Sequence, residues 1–196
     1  MRSDFLLFQS HIDLAHTYWE KALCENDIAI DATCGNGYDT LFLAKLLKEG
    51  TLYGLDIQLT AIEATRSHLQ EQLGSEVFHR VKLIHGCHSV FSKEIDNESV
   101  QLIVYNLGYL PGGDKSKTTK QDSTLISLNQ AMTLLKPGGL ISITCYPGHP
   151  EGKREEEGIL NFASSLNPRC WSCCHHRWCN RKASPSLLLI QRSVNN

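Results

Sequence analysis

The stretch Ile30-Asp31-Ala32-Thr33-Cys34-Gly35-Asn36-Gly37-Tyr38-Asp39-Thr40 decides how this chain folds. An apolar run from Ile28 to Ala32 carries an acid near its end. Two glycines follow, and helical periodicity runs from Tyr38 to Lys48, closed by Gly50. This is a strand handing over to a helix through a tight turn. Gly35 and Gly37 have no Cβ, so the backbone can turn sharply and a ligand can approach it closely. The helix amides beyond them suit a polar or anionic group. A dinucleotide fingerprint asks for a third glycine where Thr40 stands, and a P-loop asks for a Gly-Lys-Ser/Thr ending that the segment lacks. What remains is a turn for a compact nucleoside carrying an amino-acid tail. Asp31 is placed to accept hydrogen bonds from the amine of that tail. Asp56, 19 residues beyond Gly37 at the next strand end, is placed to take both ribose hydroxyls. The competing reading is a plain structural turn, with Thr33, Cys34 and Tyr38 packing around it.

Outward from the turn, strands and helices alternate. A helical stretch of roughly residues 10 to 24 precedes it. Thr51 to Asp56 reads as a strand, Thr60 to Leu73 as an amphipathic helix, and Val81 to His85 and Val100 to Tyr105 as strands. A helix from about Thr124 to Leu135 is stopped by Lys136-Pro137-Gly138-Gly139, which leads into a strand over Leu140 to Cys145. Residues 155 to 166 form the last helix and Leu187 to Gln191 the last strand, with Cys170 to Trp178 as its hairpin partner. Nearly continuous apolar strands separated by helices predict an α/β fold, a doubly wound and mostly parallel sheet covered on both faces. Ligands of such a sheet sit outside the carboxyl ends of its strands. A single domain is expected over residues 1–196, with residues 1–26 as an N-terminal helical extension.

Composition narrows the function classes. Hydrophobic residues make up 41% and charged residues 20% of 196, a globular balance. No apolar run reaches transmembrane length, and Met1-Arg2-Ser3-Asp4 does not open a secretory signal. The expectation is a cytoplasmic protein with no membrane association, whose eight cysteines are reduced thiols. A net charge of −2 argues against a non-specific nucleic-acid binder, while leaving room for a local RNA-gripping patch.

The fourth strand ends in Tyr105-Asn106 and runs into Leu107-Gly108-Tyr109-Leu110-Pro111-Gly112-Gly113-Asp114-Lys115. An apolar, glycine-rich loop at a strand's carboxyl end can hold a planar substrate. Asn106 offers donor and acceptor groups, and Tyr109 a ring on which a base can stack. An ordinary Gly/Pro loop, with Asn106 capping the turn and Tyr109 packing, is the alternative.

Asp31 to Gly37 resembles motif I of class I S-adenosylmethionine-dependent methyltransferases, with Thr33 where that family usually has a further glycine. The Asn106 loop resembles motif IV of the amino-group methyltransferases, with Leu107 and Gly108 in place of two prolines. Nearly the whole chain is similar to the bacterial rRNA methylase family, some members of which are tRNA 5-aminomethyl-2-thiouridine methyltransferases. The matching blocks are Asp31 to Thr33, Gly35 to Gly37, Asp39 to Ala44, Asp56-Ile57-Gln58, Asn106 to Lys115, and Tyr146-Pro147-Gly148-His149 followed by Glu155. Pro150 and Glu151 depart from the glycines usual after the histidine.

The resemblance implies a Rossmann-like, seven-stranded sheet of order 3-2-1-4-5-7-6 with an antiparallel C-terminal strand. It implies S-adenosylmethionine as cofactor and S-adenosylhomocysteine as product. The cofactor would be held by Asp31, Thr33, Gly35, Asn36, Gly37, Asp39, Thr40, Asp56, Ile57, Gln58, His88 and Asn106. The implied reaction is N-methylation of RNA, at the 5-aminomethyl group of the modified wobble uridine in the tRNA anticodon region. An rRNA substrate, a small-molecule amine and a non-catalytic binding domain stay open as alternatives, and the enzyme would be a monomer or homodimer.

Methyl transfer to an amine needs in-line alignment and a neutral nitrogen. Asn106 and Tyr109 are the candidates to position the substrate, and His149 and Asp114 to accept the proton. Lys115, Lys117 and Lys120, with Lys153 and Arg154, are candidates for phosphate contacts. Cys170, Cys173, Cys174, His175, His176 and Cys179 are numerous enough for zinc. They fall within ten positions, however, and alternate along a strand that points neighbours to opposite faces, so no metal is expected.

Overall fold

The structure is a computed structural model in which residues 7–108 and 119–195 are described. Each apolar run of the sequence becomes a strand of one sheet: β1 (Ile28–Asp31), β2 (Thr51–Asp56), β3 (Val81–His85), β4 (Val100–Asn106), β5 (Leu135–Cys145), β6 (Trp171–His176) and β7 (Ser186–Arg192). The helices are α1 (His11–Ala22), α2 (Tyr38–Leu46), α3 (Leu59–Gln72), α4 (Ser75–His79), α5 (Gln121–Leu134) and α6 (Pro150–Ser165). The strand order is β3-β2-β1-β4-β5-β7-β6, as expected. The first five strands pair in parallel, while β7 runs antiparallel to both β5 and β6.

Alternation along the strands sorts their side chains onto two apolar layers. On one face Ala29, Leu52, Leu102, Val104, Leu187 and Leu189 pack with Ala15 and Trp19 of α1 and Leu43, Ala44 and Leu47 of α2. On the other, Ile30, Leu55, Ile103, Tyr105, Ile141, Ile143, Leu188 and Ile190 pack with Leu128 and Ala131 of α5 and Ile159 and Ala163 of α6. Helix α1 starts on Ser10, whose hydroxyl accepts the Asp13 amide hydrogen bond. Its buried stripe through Ala15 and Trp19 lays it across α2, β4, β5 and β7.

Three boundaries differ from the sequence expectation, each for a local reason. Helix α6 begins at Pro150 rather than near residue 155, because His149 caps it and proline is favoured at the first helical position. Helix α5 begins at Gln121, ahead of the apolar periodicity on which its start was placed. Strand β5 begins at Leu135 rather than Leu140: Leu135 pairs with Val100 and Leu140 with Leu102, so residues 136–139 bulge out of the ladder. Pro137 has no N–H to donate, and Gly138 sits at φ +81°, which together exclude regular pairing there. The short α4 carries no buried residue and had no periodic signal to announce it.

Candidate active site

The carboxyl ends of β1, β2, β4 and β5 lie along one rim of the sheet, where the chain crosses from one side of β1 to the other. The glycine turn occupies its centre. Gly35 and Gly37 have φ of +54° and +81°, and a Cβ on Gly37 would come within 3.0 Å of the Thr65 Cα. Glycine is therefore required there by both conformation and space. The turn is stitched to its surroundings. The Cys34 N–H donates to the Leu55 carbonyl (2.8 Å), the Thr65 hydroxyl to the Gly35 carbonyl (3.1 Å), and the Gly35 N–H to Asp56 Oδ2 (2.9 Å).

Asp31 is 1% exposed, with Oδ1 accepting the Thr33 N–H at 3.1 Å and Oδ2 the Thr40 hydroxyl at 2.6 Å. Burial, reinforced by the charges of Asp39 and Asp56, pushes its carboxyl up to about 7 against those two hydrogen bonds. Half-buried Asp56 also accepts the Gln58 N–H at Oδ1 (2.8 Å). Each of its oxygens keeps a second lone pair, enough for two ribose hydroxyls. Asn36 is half-buried within the turn and Ile57 is exposed beside it. Asp31, Asp39 and Asp56 gather acidic groups around the glycine cradle, which fits a donor carrying a sulfonium and an ammonium.

His88, expected among the cofactor contacts, is largely buried against α5 and Tyr105. It is 8% exposed, its Nε2 lies 3.4 Å from the Thr124 hydroxyl of α5, and its ring meets Tyr105 edge-on. Burial holds it down to about 4, so it sits neutral beside Thr124 of α5.

The end of β4 is tied to the turn from the other side. The Asn106 N–H donates to the Thr33 hydroxyl at 2.7 Å, a role that a glycine at position 33 could not fill. The Asn106 side-chain NH2 donates to Asp39 Oδ2 at 3.1 Å, and the Asn106 side chain also meets the Tyr146 hydroxyl. Asp39 Oδ1 lies 2.8 Å from His16 Nε2, and His11 Nε2 lies 3.1 Å from the Tyr146 hydroxyl. Burial first, then the Asp39 charge, raises the Tyr146 phenol to about 12. Asp39, expected among the cofactor ligands, also links the cofactor turn to Asn106. Neither His16 nor Tyr146 stood out from spacing. Tyr146 lay within a family-like block, and His16 had only its place on the inner stripe of α1.

Glu155, 2% exposed on α6, closes the base of the loop that follows β4. It accepts the Thr119 hydroxyl at 2.7 Å and the Thr124 hydroxyl at 2.6 Å. Thr119 in turn accepts the Gly108 N–H through its hydroxyl (2.9 Å) and donates its own N–H to the Gly108 carbonyl (3.1 Å). The candidates Tyr109, Asp114, Lys115 and Lys117 lie outside the described residues. His149 caps α6, its Nδ1 accepting the Gly152 N–H at 3.1 Å. Along β6, Cys173 reaches the Ala163 carbonyl while Cys174 meets His176. Among the described residues no group of three or more His, Cys, Asp or Glu side chains is gathered as metal ligands would be. Nor is any helix among them long and apolar enough to cross a membrane.

Residues 52–192 match the family model described as "Putative rRNA methylase". The chain belongs to that family. A curated Arabidopsis thaliana relative, "tRNA (mnm(5)s(2)U34)-methyltransferase, chloroplastic", is 42% identical over 190 residues, spanning 93% of this chain and 69% of the relative. The structure of a "putative rRNA-methylase" from Clostridium thermocellum is 35% identical and superposes with a TM-score of 0.89, covering 94% of this chain and 98% of the other. A "putative methyltransferase" from Streptococcus mutans, in complex with S-adenosylhomocysteine, is 30% identical with a TM-score of 0.83, over 94% and 99% of the two chains. Family and fold agree on an S-adenosylmethionine-dependent methyltransferase of an RNA-methylating family.

Proposed function

We propose that this enzyme methylates the primary amine of 5-aminomethyl-2-thiouridine at the wobble position of tRNA. The observation that carries the proposal is the fixed amide of Asn106. Asp39, when ionised, can only accept, so Asn106 must turn its NH2 toward Asp39. With the NH2 turned that way, the side-chain carbonyl oxygen of Asn106 can face a substrate. A carbonyl oxygen suits an amine N–H and would orient the nitrogen lone pair. Bound S-adenosylmethionine supplies an electrophilic methyl on a sulfonium. When bound, that donor would offer its methyl carbon to the amine lone pair, with the carbon–sulfur electrons left on sulfur and the surplus proton of the amine released to solvent. Asn106 contributes alignment to this step and takes no proton. Asp31, Gly35, Gly37 and Asp56 hold the donor's two ends, while Thr33 fixes the distance between turn and Asn106. The A. thaliana relative's name supports the same nucleoside.

The test is methyl transfer to purified tRNA bearing 5-aminomethyl-2-thiouridine, with rRNA and a simple alkyl amine run in parallel. Nucleoside mass spectrometry should reveal a product one methylene heavier at the wobble position. Transfer to rRNA or to the free amine, with the tRNA unchanged, would replace this substrate by the corresponding alternative.

A further inference from the structure

None of the chain's 21 acidic residues lies beyond Glu157, whereas five of its 19 Lys and Arg do. Three of those five, Arg177, Arg181 and Lys182, fall in the single turn joining β6 to β7, and all three are exposed. Strand register places this turn. Cys145, the last residue of β5, pairs with Ser186 at the start of β7, and His176 at the end of β6 pairs with Leu187. Because β7 is antiparallel to both neighbours, the β6–β7 turn emerges on the rim that carries Asn106 and Tyr146. A Cβ built on Gly148, two residues after Tyr146, would sit 3.7 Å from the Ala183 carbonyl oxygen. The Tyr18 hydroxyl, on the helix that brings His11 and His16 to the site, lies 3.2 Å from His176 Nε2.

The turn has internal order. The Arg181 guanidinium lies 4.0 Å from the centroid of the Trp178 ring, and Phe8 meets that ring edge-on at 5.5 Å. A guanidinium set over an indole is ordered at lower entropic cost than a freely rotating side chain. Other basic groups of this rim are differently placed. Lys153 and Arg154 each have a carboxylate of their own helix, Glu157 and Glu151, 3.9 Å away. The acid at the root of the turn, Glu156, accepts the Ser186 hydroxyl and faces His175, and its side chain is only 17% exposed.

Resting on the RNA reading above, we propose that the β6–β7 turn grips the RNA backbone beside the reacting nucleotide, with Arg177, Arg181 and Lys182 on phosphates and Trp178 as the platform for Arg181. An RNA substrate is longer than the one nucleotide held at Asn106, so its neighbours must run over surface adjoining the rim. Among the described elements adjoining the rim, this one combines positive charge, an aromatic ring and the lack of an acid in its own segment.

The experiment compares the parent, Arg181→Ala/Lys182→Ala, and Lys153→Ala/Arg154→Ala, which removes the same charge elsewhere on the rim. Binding of an anticodon stem-loop RNA carrying 5-aminomethyl-2-thiouridine is followed by fluorescence anisotropy across a salt series. S-adenosylhomocysteine affinity and melting temperature are measured on the same preparations. The turn variant should bind RNA about tenfold more weakly near 0.1 M salt. Its salt slope should be shallower by about 1.4, about 0.7 for each lost phosphate contact. Its donor-product affinity and melting temperature should match the parent. The α6 variant should lose distinctly less. Parent-like affinity and slope in a folded turn variant would overturn the surface while leaving the function intact, as would an equal loss in both variants. A parent that binds S-adenosylhomocysteine but no RNA would overturn the RNA reading, and the surface with it.

Discussion

The two halves of the rim are built by different means. Around the donor turn the contacts are mostly backbone to side chain and bridge neighbouring elements: Gly35 to Asp56, Gln58 to Asp56, Thr33 to Asp31. Around Asn106 they are side chain to side chain and draw on α1, α2, β4 and the β5–α6 loop, separated by 67 residues for Asn106 and Asp39 and by 135 for His11 and Tyr146. The donor half is fixed by how the chain turns. The acceptor half is fixed by how distant elements dock, so it can be disturbed without dismantling the cradle. Asp39 and Thr33 are the two side chains that join the halves.

Paired substitutions put this division to its hardest test. Asn106→Ala should lower the single-turnover rate roughly 100-fold, since a nucleophile misplaced by about 1 Å loses its in-line geometry. Its affinity for S-adenosylhomocysteine should stay within about twofold of the parent. Asp56→Ala should do the reverse, weakening donor binding by roughly 1.5–3 kcal/mol, the range for hydrogen bonds to a charged group. With donor saturating, its transfer rate should recover. Calorimetric titration and rapid-quench kinetics on both variants give the comparison. Loss of both properties together in either variant would mean the rim acts as one unit.

The same division explains what could be read from the sequence. Asp31, Gly35, Gly37 and Asp56 were legible because a strand, a tight turn and the next strand end lie within 26 residues, and each needs a particular residue type. The alternation of apolar runs gave a parallel sheet with two covered faces; its strand order came from the family resemblance. The partners of Asn106 were not legible, because nothing in the spacing of His11, His16, Asp39 and Tyr146 says that α1 crosses β5. Nor does spacing announce that α5 packs against His88 through Thr124. The β5 start was misplaced because a proline and two glycines, which end a helix, can also bulge out of a strand.

Asp31 sharpens the comparison through pH. Its carboxyl is raised from 3.8 to about 7 in the fold, so below about pH 4 it is protonated both folded and unfolded and makes no difference. Between about 4 and 7 the unfolded chain has released the proton and the folded chain has kept it. Stability attributable to this group therefore falls as pH rises through that window, by up to about 1.4 kcal/mol per unit. Asp31→Asn should flatten this slope, read as denaturant unfolding at pH 5.5 and 6.5. A cationic donor favours the ionised carboxyl, so parent donor affinity should climb toward pH 7 while the variant's changes little. An equal pH slope of stability in both proteins would remove Asp31 as its source.

The smallest effect belongs to Tyr146, and it distinguishes positioning from packing within the acceptor half. The hydroxyl lies between His11 Nε2 and the Asn106 amide, while the ring packs edge-on against His11 at 5.5 Å. Tyr146→Phe keeps the ring and removes only the oxygen. Asn106 would still be held by Asp39 and by its own N–H to Thr33, so its amide should loosen rather than swing away. A lost neutral hydrogen bond of about 1 kcal/mol corresponds to a roughly fivefold lower transfer rate. Because the oxygen acts on alignment, the loss should fall on kcat, with the KM for RNA and donor affinity unchanged. If the hydroxyl instead only braces α1 against the β5–α6 loop, melting temperature would drop while kcat held. In Asn106→Ala the Tyr146→Phe change should add almost nothing to the rate loss, since the group it positions is gone. Full additivity of the two substitutions would place Tyr146 outside the Asn106 network.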